Sequence, residues 1–106
     1  MKPLEIYLIT LNYHDCADPR PCMILERPLG DGTIKVLPMS ARPEFFDPLQ
    51  HLMIRSDDPD FPATGLTRDC YVDQEIHEVG ADDVMEFLGS FEGGLKKRIE
   101  NWFGEL

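Results

Sequence analysis

Nine prolines punctuate the chain, all of them between Pro3 and Pro62, and they divide that stretch into short apolar runs. Proline removes a backbone donor and fixes φ, so this part of the chain favours brief strands and turns over long helices. Residues 4–11 (LEIYLITL) read as a buried strand. Residues 12–21 form a loop dense in Asp and Pro. Residues 22–26 are a short apolar strand that must end at Arg27-Pro28. Leu29-Gly30-Asp31-Gly32 is then a turn signal of the Asp-Gly type, leading into a strand over residues 33–39. The two strands make a hairpin.

A proline-bounded connection occupies residues 40–48, followed by a strand over residues 50–55 and an acidic loop over residues 56–67. Residues 69–79 alternate imperfectly and predict one or two strands with a bend between them. Gly80-Ala81-Asp82 predicts the start of a helix, with Asp82 as its N-cap, Val84, Met85 and Leu88 apolar, and Gly89-Ser90 as its stop. Residues 95–106 place Leu95, Ile99, Trp102, Phe103 and Leu106 at helical spacing, opposite Lys96, Lys97, Arg98 and Glu100. Strands first and helices last predict a mainly β, α+β architecture. The expected form is a small, strongly curved antiparallel sheet or barrel with a short helix and a C-terminal helix at its end.

At 106 residues and 42% hydrophobic content the chain is expected to be a single domain over residues 1–106, folding without disulfides or a structural metal. No run approaches the ~18 apolar residues of a membrane span, and no signal peptide is legible, so a cytoplasmic location is expected. Cys16, Cys22 and Cys70 are odd in number, contain no C-x-x-C pair and match no zinc module even with His14 nearby. They read as buried free thiols, and neither a metal nor another cofactor is expected.

Twenty acids against ten bases give a net charge of −10. Residues 57–92 hold eleven of the acids and one base, Arg68, while nine acids and nine bases balance elsewhere. That balance disfavours duplex DNA as a partner. An acidic segment beside a neutral remainder still permits a solvated acidic face and a separate cationic site.

Several segments, in order, resemble the PemK/MazF/CcdB-like toxins of bacterial type II toxin–antitoxin pairs. Glu5-Ile6-Tyr7-Leu8 matches that family's first strand, and Arg20-Pro21-Cys22-Met23-Ile24-Leu25 its R-P-x-[LM]-[VI]-[LI] strand. Val36-Leu37-Pro38-Met39-Ser40-Ala41 is similar to its V-L-P-[LI]-[ST]-S segment. Gly65-Leu66-Thr67-Arg68-Asp69-Cys70-Tyr71-Val72 is similar to its G-L-x-[KR]-D-S-Y-[VA] block, with Cys70 at the serine position. Phe87-Leu88-Gly89-Ser90-Phe91 resembles the element before the last helix, while Lys2-Pro3-Leu4 replaces the usual N-terminal Arg-Gly.

The resemblance implies an SH3-like barrel, active as a homodimer and silenced by a cognate antitoxin. It also implies a metal-independent endoribonuclease that cuts single-stranded mRNA and leaves a 2′,3′-cyclic phosphate. Such a reaction needs a base for the 2′ proton, donors for the phosphorane oxygens and an acid for the leaving oxygen. The family's arginine falls on Arg20, whose donor fork suits a phosphorane, and its hydroxyl falls on Ser40. His14, in the first loop, is the candidate for proton transfer, and Arg68, Asp73 and His77 are candidate substrate contacts. Two alternatives share the fold: a catalytically degenerate barrel acting as a protein-interaction module, and a gyrase-binding CcdB-like toxin. The second is suggested by the C-terminal Asn101-Trp102-Phe103-Gly104-Glu105-Leu106.

Overall fold

In the computed structural model, which describes residues 1–11, 19–26 and 30–104, seven antiparallel strands are followed by one α-helix. The strands are β1 (Glu5–Thr10), β2 (Pro19–Ile24), β3 (Thr33–Ser40), β4 (His51–Ile54), β5 (Cys70–Asp73), β6 (His77–Gly80) and β7 (Val84–Ser90). The helix α1 is Gly93–Phe103. The sheet runs β4-β5-β3-β2-β1-β7, with β6 added to β3. This is the mainly β, barrel-like architecture with a C-terminal helix expected from the sequence. Among the described residues no helix is long and apolar enough to cross a membrane.

β3 is the spine. One edge pairs with β2, while the other serves β6 from Thr33 to Val36 and β5 at Met39 and Ser40. Leu37-Pro38 falls in the gap between those two pairings, where a residue without an N–H is tolerated. Alternation along β2 and β3 feeds two cores. Met23, Leu37 and Met39 join Ile6, Ile54, Phe61, Val72, Phe91, Leu95 and Ile99, while Cys22, Ile24, Ile34 and Val36 join Ile9, Leu11 and Val79. A strand buried on both faces needs a near-continuous apolar run, which the interior of β3 has apart from Lys35. β1 serves both cores because Ile6 and Ile9, three residues apart, point to opposite faces of the strand, and its pairing with β7 shifts register twice, between Ile6 and Tyr7 and between Leu8 and Ile9.

The helix buries Leu95 and Ile99 and packs Trp102 and Phe103 partly against the first core, as the apolar spacing predicts. It begins on two glycines because a distant residue supplies its cap. The Asp60 carboxylate accepts from the Gly94 N–H at 2.8 Å, satisfying one of the free donors of the first turn.

Two expectations are corrected. The short helix expected from Asp82 is one turn of 3-10 helix at Ala81–Asp83, and the segment carrying Val84, Met85 and Leu88 is instead strand β7. Nucleating so short a helix is costly, and the open edge of β1 offers backbone hydrogen bonds to the same residues. The second strand starts at Pro19 rather than residue 22, so Arg20 stands in the ladder opposite Ile9 and not in the preceding loop.

Candidate functional site

An open cleft runs across the ends of β2, β3 and β5, with Arg20, Met39, Ser40 and Arg42 at its middle. One half, about 330 Å³, adds Pro38, Phe45, His51, Tyr71, Asp73 and Glu75. The other, about 400 Å³, adds Pro19, Pro21, Ala41, Leu66, Thr67, Arg68 and Cys70. The strand order explains the convergence. β2 delivers Arg20, the end of β3 delivers Ser40, and the β3–β5 pairing brings Tyr71 opposite Ser40 and Val72 opposite Met39.

Ser40 Oγ accepts from the Arg42 N–H at 3.3 Å. A hydroxyl has one proton and two lone pairs, so that bond leaves the O–H to donate into the cleft. Three guanidinium groups, Arg20, Arg42 and Arg68, line the second half, and no carboxylate is among its described lining residues. The chain is strongly acidic overall, yet several of its carboxylates are engaged elsewhere. Asp57 pairs with Arg55, Asp58 with Arg98, and Asp60 caps the helix. Asp69 accepts from the Ser56 N–H at 2.6 Å, a bond that holds its carboxyl below the usual range.

The first half has a different chemistry. His51 Nδ1 accepts from the Asp47 N–H at 2.8 Å, which puts the ring proton on Nε2, 3.6 Å from Asp73 Oδ2. Asp73 Oδ1 accepts from the Glu75 N–H at 3.0 Å. The His51 ring stacks on Tyr71 with centroids 4.5 Å apart, and Phe46 packs beside both. Phe45 stands largely exposed at the mouth.

The structure thus brings Arg20, Ser40, Arg68 and Asp73 to one cleft. His77 lies apart, on β6 opposite Val36, beside a smaller recess with Thr10, Leu11 and Asp83. His14 lies outside the described residues, as does Cys16. Cys22 and Cys70 are buried free thiols, and burial pushes them to about 12 and about 11. Among the described residues no group of three or more His, Cys, Asp or Glu is placed to hold a metal ion. Sequence reasoning missed Arg42, Phe45 and His51. Phe45 carried a signal, as an aromatic residue in a proline-bounded connection, whereas His51 reads only as the start of a strand.

The described residues thus form a curved antiparallel sheet with a C-terminal helix, and arginines and a serine gather at one cleft. No family model matches the chain, and no curated protein matches it. Among solved structures it is similar to an endoribonuclease in complex with its cognate antitoxin from a mycobacterial species. That match has a TM-score of 0.68 at 16% identity, over 98% of this chain and 91% of that one. It is also similar to the Mycobacterium tuberculosis toxin MazF-mt6, with a TM-score of 0.61 at 18% identity, over 96% of this chain and 98% of that one. The likeness is one of fold, and the fold is that of the MazF toxins.

Proposed function

We propose that this chain is a toxin-type endoribonuclease that cuts single-stranded RNA without a metal, in the cytoplasm, as a homodimer restrained by a cognate antitoxin. The observation that carries the proposal is the convergence of Arg20, Ser40, Arg42 and Arg68 on one cleft of a chain with net charge −10. A local cationic strip on an acidic protein indicates an anionic ligand. The fold shared with an endoribonuclease makes RNA the ligand of choice.

In this reading the ribose 2′-oxygen attacks the adjacent phosphorus, and the bond from phosphorus to the 5′-oxygen breaks. A cyclic phosphate and a 5′-hydroxyl result. Arg20 presents two parallel donors to the non-bridging oxygens as charge grows on them, and the Ser40 hydroxyl donates to the same phosphate. Arg42 and Arg68 hold neighbouring phosphates. His14 is the proposed proton-transfer group.

The test is cleavage of a long single-stranded RNA by the purified chain in EDTA, beside Arg20→Ala and Ser40→Ala. Products ending in 2′,3′-cyclic phosphate, lost in both folded variants, are expected. A folded wild-type protein that leaves several RNAs intact at low salt overturns the enzymatic reading and favours a binding module on the same barrel.

A further inference from the structure

The two halves of the cleft differ in a way that one kind of ligand atom does not explain. The half containing Arg68 adds a third guanidinium to the shared Arg20 and Arg42 and has no carboxylate among its described lining residues, which suits phosphate. The half containing Phe45 shares Arg20 and Arg42 at the middle of the cleft but adds the carboxylates Asp73 and Glu75, which repel phosphate, together with the rings of Phe45, His51 and Tyr71. An exposed ring at a cleft mouth is a platform for an unstacked nucleobase, whose flat face stacks regardless of sequence. We propose that this half is a nucleobase subsite selective for guanine, read by the Asp73 carboxylate against the Phe45 platform. The proposal rests on the reading of the cleft as a site for single-stranded RNA.

The selectivity follows from donor and acceptor patterns. An ionised carboxylate only accepts hydrogen bonds. Guanine presents two adjacent donors on its Watson–Crick edge, N1–H and the N2 amino group. Adenine and cytosine present one amino group beside a ring-nitrogen acceptor, and uracil presents one N–H between two carbonyls. Only guanine matches both carboxylate oxygens at once, while each of the others sets a lone pair against an anion.

Asp73 is also held for this role. Its Oδ1 takes the Glu75 N–H and its Oδ2 faces the Nε2 proton of His51. Each oxygen has two lone-pair sites, so one on each remains for the base. His51 is itself locked by the Asp47 N–H and by stacking on Tyr71, which makes it a positioning residue for the carboxylate. Preorganised acceptors of this sort discriminate more than mobile ones because little ordering is left to be done on binding.

The experiment measures binding of 2′-O-methyl uridine heptamers carrying one central guanosine, inosine, adenosine or cytidine to the full chain. Their ribose counterparts are used in parallel for cleavage. The uridine background lets the single base slide to the position the cleft reads, and inosine lacks only the N2 amino group. The guanosine heptamer is expected to bind about tenfold more tightly than the inosine heptamer, the effect of one charge-assisted hydrogen bond. That ratio is expected to fall to near one in Asp73→Asn and to survive in Glu75→Gln. Equal binding of guanosine and inosine by the wild-type chain overturns the proposal without recourse to any variant. So does a ratio unchanged in Asp73→Asn or abolished only in Glu75→Gln. Guanine-selective binding with no cleavage of the ribose heptamers removes the ribonuclease reading and leaves the subsite standing. Cleavage without base preference does the reverse, and a folded chain that binds no heptamer overturns both.

Discussion

Ser40 stands opposite Tyr71 in the ladder between β3 and β5, one residue beyond the Met39–Val72 pair. This register seats the Ser40 hydroxyl on the cleft floor, next to a Tyr71 ring that is buried and stacked on His51. Ser40 on β3 and Asp73 on β5 are therefore joined by paired strands, so their spacing is a property of the sheet.

Ser40→Ala is expected to lower RNA cleavage by about 10²–10³, the usual effect of removing one preorganised donor from a developing oxyanion. Ser40 is only partly buried, so the change in unfolding free energy is expected to stay within about 0.5 kcal/mol. Urea unfolding beside single-turnover kinetics separates the two quantities. A matching loss of stability would make Ser40 a structural residue.

The arginines are expected to divide by role. Arg42→Gln and Arg68→Gln should weaken binding of uncleavable RNA to a similar extent for every sequence. Each should reduce the slope of log affinity against log salt by about 0.7, the single-strand value for one phosphate contact. Arg20→Lys keeps the charge and loses the planar fork, so cleavage is expected to fall further than binding. A salt titration of all three variants checks the assignment, and an Arg68 variant with an unchanged slope removes Arg68 from the phosphate path.

Gly89→Ala is expected to cost about 1–3 kcal/mol, the range for overpacking a close contact. A Cβ on Gly89 would fall well inside contact distance of the Ala63 and Thr64 backbone, where no flexible side chain can give way. Gly65, at φ +72° and against the Leu88 backbone, closes the same approach from the other side. The urea midpoint should drop with an unchanged slope. An unaffected midpoint would show that β7 and the Ala63–Gly65 turn are not packed this tightly.

Stability is expected to be level between two limbs of pH. Asp31 and Asp69 are held below the ordinary 3.8 by hydrogen bonds from Thr33 and Ser56. The unfolded chain therefore takes up protons first, so their contribution is present above 3.8 and lost as pH falls through the folded values. Cys22 and Cys70, pushed up from 9.0 to about 12 and about 11 by burial, act in the opposite sense. Their contribution is complete below 9.0 and lost as pH rises and the unfolded thiols ionise. Urea midpoints measured across this range should show both limbs, with Asp69→Asn flattening the acid one and Cys22→Ala the alkaline one. A profile unaffected by either variant would refute the assignment.

Much of the architecture is legible from local pattern alone. Asp31-Gly32 marks the hairpin turn, short apolar runs mark β2 and β3, and Leu95, Ile99, Trp102 and Phe103 mark the buried stripe of α1. These are short-range signals, set by turn chemistry and by periods of two and 3.6 residues, and they survive whatever the rest of the chain does. Arg20, Ser40 and Arg68 could be singled out because each lies in a short segment that resembles a motif of the toxin family, and Asp73 directly follows the last of these segments.

What the local pattern could not decide depended on partners distant in sequence. The segment with helical spacing at Val84, Met85 and Leu88 became a strand because β1, some eighty residues earlier, had an open edge to fill. Helix α1 starts at two glycines because Asp60 accepts the Gly94 N–H across 34 positions. A cleft with Arg20 and Arg42 at its middle, Arg68 on one side and the rings and carboxylates on the other exists only once β3 pairs with β2 on one edge and β5 on the other. Residue identity and local period set which elements form. Pairing between remote edges, whose loop-closure cost is repaid only in the finished fold, set which side chains meet.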